Sequence, residues 1–183
     1  MRVALLHHGY GGSGEERATA RVRTLAAALE AAGHEPLVIA SRAGRTRRGE
    51  DAGVPVVRLA RLPDGRLRSR GFPSPLTHLP ALLMHLRATR YDAVHAFSPE
   101  DAALAVRAIG RVAFTPPEPP HRGLLADRRL RAGFWDAATR PPSVVVVGDE
   151  AEAQAVSRWL AVDPVIARAG DPVAHENVYR GLS

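Results

Sequence analysis

Two clusters of residues in this chain have the types and spacing to do chemistry. The first is His7-His8-Gly9-Tyr10-Gly11-Gly12-Ser13-Gly14, between the apolar run Val3-Ala-Leu-Leu6 and a helical stretch. A glycine-rich turn there can cradle an anion with its backbone N–H groups, helped by the helix dipole. The Gly9-x-Gly11-x-x-Gly14 spacing is that of a dinucleotide fingerprint. Its surroundings fit that fingerprint poorly. Two histidines separate strand from glycine, Glu15-Glu16 repels anions at the helix start, and no small apolar residues follow Gly14. A dinucleotide-phosphate site would also need Ser41-Arg42, at the end of the next strand, to hold a 2′-phosphate.

The second cluster is Asp92-Ala-Val-His95-Ala-Phe97-Ser98-Pro-Glu-Asp101, followed downstream by Glu118 and His121-Arg122. His7 and His8 alternate in a strand, so one faces the core and the other a cleft. His95 reads as core, or as a support behind the cleft. Neither Asp92 nor Glu118 stands at a metal-ligand spacing from a histidine, so no metal site is expected. No residue stands out as a general base.

The elements that must position these groups follow from periodicity. Val22, Leu25, Ala26 and Leu29 mark one apolar helix face, closed by Gly33 at a C-terminal cap. Strands follow at Leu37 to Ala40 and Val54 to Leu59. Leu79, Leu83 and Leu86 form a helix stripe starting near Pro80. A buried strand spans Asp92 to Phe97. Ser98 then caps a helix, with Pro99 at its first position and acids in its first turn. Further strands are expected at Val112–Thr115, Ser143–Val147 and Val165–Ile166. The helices between and after them are placed at Leu124–Thr139, up to Leu160, and His175–Leu182. Strand and helix alternate, which predicts an α/β fold: a single Rossmann-like, doubly wound parallel sheet with helices on both faces.

Composition narrows the function further. The chain has 183 residues, a net charge of +6 and no cysteine, which rules out disulfides and thiolate metal sites. Every cationic side chain is arginine, so no lysine can form a Schiff base or serve a P-loop. Nine arginines fall between Arg42 and Arg70, among glycine and proline, and read as loop. That stretch is a candidate contact for an anionic membrane surface. Phe72, two residues beyond it, is the only aromatic nearby, so a base-stacking surface and nucleic-acid binding are not expected. No apolar run is long enough to span a bilayer. The expected location is cytoplasmic, with the inner membrane face as a peripheral site.

Taken in order, several segments resemble the N-terminal domain of GT-B glycosyltransferases of the family-four type. They are Val3-Ala-Leu-Leu-His7 with its glycine turn, Leu25 through His34-Glu35, Gly53-Val-Pro-Val-Val-Arg-Leu59, Tyr91-Asp-Ala-Val-His-Ala-Phe-Ser98, Phe114-Thr115 with a proline-rich turn and His121-Arg122, and Ser143-Val-Val-Val-Val147 leading to Trp159-Leu160. The resemblance covers about residues 1–166. It implies an acceptor-binding half, with residues 167–183 as a closing segment whose helix packs back on the domain. It also implies a second, donor-binding domain, and metal-independent hexosyl transfer from a nucleotide-sugar with retention. No tightly bound cofactor is implied. Gly11, Gly12, Ser13 and Gly14 would line the diphosphate side of the cleft. His95, Phe97 and Ser98 would form its floor, with Phe97 where the family commonly has a second histidine. His8, Glu118, His121 and Arg122 would stand on the acceptor side. The implied partner is a donor-domain chain or a second copy. The competing readings are a non-catalytic binding or scaffold protein built from this domain, and an NADP-binding protein.

Overall fold

A computed structural model describes residues 1–12, 15–63, 74–126 and 129–182. Its strands are β1 (Arg2–Leu6), β2 (Glu35–Ala43), β3 (Arg47–Asp51), β4 (Val54–Arg61), β5 (Ala93–Ala96), β6 (Ala113–Phe114), β7 (Val144–Val147) and β8 (Val165–Ile166). They form one sheet in the order β3-β4-β2-β1-β5-β6-β7-β8. Every pairing is parallel except β3 with β4. The expected α/β doubly wound architecture is therefore present, with one antiparallel addition.

The helices are α1 (Glu16–Ala31), α2 (Leu79–Ala88), α3 (Pro99–Ile109), α4 (Arg122–Ala126), α5 (Arg129–Thr139), α6 (Glu150–Leu160) and α7 (Pro172–Arg180). Alternation along the strands splits the core between the two sheet faces. Val3, Leu5, Val38, Ala93, Phe97 and Val146 pack with α1 and α7. Ala4, Leu6, Ile39, Val94, Ala96 and Val145 pack with α2, α3, α5 and α6. The expected α1 stripe of Val22, Leu25, Ala26 and Leu29 is fully buried. On α2 the buried pair is Leu82 and Leu86, so the stripe runs through Leu82 rather than Leu83. The long helix expected over residues 124–139 divides into α4 and α5.

The arginine-dense stretch is not all loop. Arg47–Asp51 folds back on β4 as a hairpin whose two turn residues, Ala52 and Gly53, both have positive φ (51° and 85°). That is the primed turn geometry matching strand twist, and glycine adopts it without strain. β3 carries Arg47, Arg48, Glu50 and Asp51 at the sheet edge, where charge discourages edge-to-edge pairing. Arg66, Arg68 and Arg70 lie outside the described residues.

Winding reverses between β1 and β5. From β1 the chain moves outward through β2 to β4, and from β5 outward the other way through β6 and β7. In such sheets the crevice at the carboxyl ends of the two switch-point strands is the ligand position. Backbone hydrogen bonds extend the ladder past the strand ends: His7 N–H donates to Ile39 O (3.0 Å), Phe97 N–H to Leu6 O (2.8 Å) and Thr115 N–H to Ala96 O (2.9 Å). The residues just beyond β1, β5 and β6 are therefore fixed side by side. Among the described residues no helix is long and apolar enough to cross a membrane.

Candidate functional site

A cleft of about 420 Å³ opens at this switch point, lined by His7, His8, Glu15, Arg17, Phe97, Ser98, Glu100, Glu118 and Trp135, with Ala18, Pro99 and Pro117 between them. His8 enters from the end of β1 and Ser98 from the start of α3. Ser98 caps that helix as its sequence predicts, its Oγ accepting the Asp101 N–H at 3.3 Å. Pro99 occupies the first turn, where its missing N–H costs nothing.

Asp101 organises the floor. It is buried, and its carboxylate accepts from the His8 backbone N–H (3.0 Å), from His8 Nδ1 (3.2 Å) and from His78 Nε2 (2.6 Å). The His8 and His78 rings stack at 5.1 Å. Burial alone would lower the His8 pKa, but the Asp101 charge and hydrogen bond outweigh it and push it up to about 9. Burial likewise opposes ionisation of Asp101, yet the His8 charge and the two imidazole donors hold its carboxyl well below the usual range. His8 thus stands in the cleft as an imidazolium at neutral pH, with Nδ1–H spent on Asp101 and Ser98 (3.1 Å) and Nε2–H as its second donor.

One ring nitrogen each of His8 and His78 and a carboxylate oxygen of Asp101 lie within 4.8 Å of one another, close enough for one divalent ion. Sequence spacing gave no sign of this trio, because its members are dispersed over three elements. Each donor already bonds Asp101, so an ion would have to displace those protons first.

His7 lines the same cleft from the position just past β1. It is buried, and neither ring nitrogen has a hydrogen-bond partner; the nearest charge is the Glu15 carboxylate at 3.9 Å. Burial, and then the neighbouring His8 charge, push its pKa down to about 4. Both histidines line the cleft, so the expectation of one inward and one cleft-facing ring is half met.

His95 does not reach the cleft floor, which corrects its expected position. It lies fully buried behind Phe97, the two rings stacked at 4.5 Å. His95 Nε2 is 2.8 Å from Thr115 Oγ1, which itself donates to Val146 O at 2.9 Å. Nε2 therefore carries the proton, and Nδ1 accepts from Tyr179 Oη at 2.9 Å. Phe97 and Ser98 do line the floor. Phe97 offers only an apolar surface there.

The other expected residues divide. Glu118 lines the cleft. His121 and Arg122 are exposed at the start of α4 and are not among its lining residues. The Gly11 N–H donates to Thr19 Oγ1 (3.1 Å) and the Gly12 N–H to Gly9 O (2.8 Å), so neither amide is left over for a phosphate. Both glycines border a separate, shallower depression with Glu16, Thr19 and Arg23. Ser13 and Gly14 lie outside the described residues. The Ser41 hydroxyl, the expected 2′-phosphate contact, donates to His8 O at 3.0 Å. Sequence reasoning missed Arg17, whose Nη2 meets buried Glu152 at 2.8 Å. Glu152 also pairs with Arg21 and accepts the Gly148 N–H (2.8 Å), tying α1 to the start of α6.

Residues 18–169 match the family described as glycosyl transferase 4-like domain. No curated protein matches the chain. Among solved structures, it superposes on a form of sucrose-phosphate synthase from Thermosynechococcus elongatus labelled with the limits 27–220 and 406–426, at a TM-score of 0.61 and 16% identity, covering 100% of this chain and 99% of that one. It also superposes on sucrose-phosphate synthase from the same organism at a TM-score of 0.61 and 17% identity, covering 91% of this chain and 46% of that one. The chain thus spans about half of that longer synthase.

Proposed function

The chain belongs to the glycosyl transferase 4-like domain family, and from that footing we propose that it forms the acceptor-binding half of a retaining, nucleotide-sugar-dependent glycosyltransferase. The donor-binding half comes from residues beyond these 183, on the same polypeptide or on a partner. The observation that carries this reading is the chemistry of the switch-point cleft. It sets one fixed imidazolium, His8, beside the carboxylates of Glu15, Glu100 and Glu118, while the Gly11 and Gly12 amides are internally bonded. Such a surface binds hydroxyl groups: carboxylates accept from them and His8 donates to them. Among the described residues it does not offer the bank of free amides that a diphosphate uses.

In the complete enzyme, the acceptor hydroxyl would attack the anomeric carbon from the face the leaving diphosphate departs. This chain's part is to hold that hydroxyl. His8, kept charged by Asp101 and positioned by His78, contributes a fixed positive charge beside the reaction centre. Glu118 and Glu100 orient the remaining hydroxyls. The fold likeness to the 27–220, 406–426 form of the synthase supports reading residues 167–183 as a closing segment.

Phe97 favours a second reading, a binding domain without turnover, because its side chain puts no hydrogen-bonding group at the position where the resemblance implies a histidine. A thermal-shift panel with UDP, GDP, NADPH and simple hexoses tests the main proposal. Hexoses should raise the melting temperature, and the three nucleotides should leave it unchanged. A shift with NADPH alone would make the chain a dinucleotide-binding protein instead.

A further inference from the structure

Among the described residues the cleft carries more carboxylates than cations. Its two described cations are both engaged: Arg17 shares Glu152 with Arg21, at 2.8 Å from Arg17, and His8 bonds Asp101. The carboxylates are not. Among the described residues Glu100 and Glu118 have no ion pair, and Glu15 has only the His7 ring at 3.9 Å. Burial and repulsion from Glu100, Glu16 and Glu118 raise the Glu15 pKa, the response of a carboxyl in an acidic neighbourhood, although His8 opposes it.

An acidic rim alone points to no ligand. His7 supplies an independent observation. Its ring is 1% exposed, lines the same cleft, and leaves both nitrogens unpartnered. A neutral imidazole has one donor and one acceptor, and burying both unmet is costly. A hydroxyl group can meet either role, donating to the bare nitrogen or accepting from the N–H. The rim then calls for a positive charge on the same molecule, a few ångströms from that hydroxyl.

We infer that the acceptor is a polyhydroxylated molecule carrying an ammonium group, of the amino-sugar or aminocyclitol class, with a hydroxyl on His7 and its ammonium among Glu15, Glu100 and Glu118. This rests on the acceptor-cleft reading above. It sets the selectivity: a protonated amine is preferred over a neutral hydroxyl, and a sugar phosphate is disfavoured.

The test is an NMR titration of the protein labelled in its histidine rings, reading His7, with glucosamine, N-acetylglucosamine, glucose and glucose 6-phosphate at low salt. Glucosamine should bind about fivefold more tightly than glucose, the scale of one partly solvated charge pair. N-acetylglucosamine should behave like glucose, and glucose 6-phosphate should be weakest. Glu118 is exposed, so Glu118→Gln should fold normally and bring the glucosamine-to-glucose ratio towards one. If glucose or glucose 6-phosphate moves His7 as well as or better than glucosamine, the ammonium preference is wrong while the acceptor cleft stands. If no sugar moves His7, both readings fail.

Discussion

Tyr179 donates its hydroxyl proton to His95 Nδ1 across 2.9 Å, joining the last helix of the chain to the central strand β5. Both residues are fully buried, and His95 passes the chain of donors on to Thr115 and the Val146 carbonyl. Val178 and Leu182 add apolar contacts to the same face. Residues 172–180 are thus held by a directional bond as well as by packing. Tyr179→Phe keeps the packing and leaves Nδ1 without a donor. It should cost about 1–3 kcal/mol of stability in urea unfolding, the penalty for one orphaned buried acceptor. An unchanged midpoint would mean the ring alone anchors the helix.

Asp101 sets the charge on His8. In Asp101→Asn the two largest raising influences are gone and burial is opposed only by the weaker charges of Glu100 and Glu15, so the His8 pKa should fall well below about 9. Ring NMR through a pH titration reads this directly. A value still near 9 would show that another group holds the proton.

Phe97 is 1% exposed and stacked on His95. Phe97→His supplies the histidine that the family resemblance implies there but places a second imidazole against the first. It should lower stability by about 1–3 kcal/mol unless a ligand in the cleft bonds the new ring. Thermal melts with and without glucosamine separate the two contributions.

How much of this was legible in sequence depended on range. The Ser98 cap was readable because its whole mechanism lies within four residues. Asp101 was readable only as a first-turn acid. Its bonds to His8 and His78 span 93 and 23 residues, and nothing local encodes them. His95 was read from its residues as core or support, which agrees with its full burial, while the floor position implied by the resemblance does not. Its partner Tyr179 was 84 residues away and unreadable. β3 was missed because Arg-Arg-Gly-Glu-Asp has no apolar alternation; the hairpin turn, not the strand pattern, creates it. His121 and Arg122 were placed at the acceptor wall by proximity to a strand end, yet they start α4 on the surface.

Acid should unfold this protein steeply. His7, His95 and His175 are all held neutral, chiefly by burial; the pKa is pushed to about 4 for His7 and His175 and well down for His95. For a histidine whose folded pKa lies below 6.5, the unfolded chain takes up the proton first. Stability is therefore complete above pH 6.5 and drains as pH falls towards the folded values. His8 works at the other end: its raised pKa gives stability that is full below pH 6.5 and is lost as pH rises through about 9. Three neutral histidines imply a slope approaching about 4 kcal/mol per pH unit near pH 5. Denaturant unfolding at pH 7, 6, 5.5 and 5 measures it. A flat profile between pH 6.5 and 5 would mean these rings are protonated inside the fold.

The central claim is that the switch-point cleft holds a sugar acceptor and not a nucleotide, and Trp135 reports on it. Trp135 lines the cleft, packed edge-on against Phe114 at 5.6 Å, and the chain has two tryptophans. Trp159 is partly exposed on α6, so Trp159→Phe leaves Trp135 as the sole emitter at little structural cost. The measurement is fluorescence of this variant titrated with glucosamine, UDP and NADP. Saturable change with glucosamine and none with either nucleotide is the predicted result. Saturable change with NADP or UDP and none with the sugar would contradict the account.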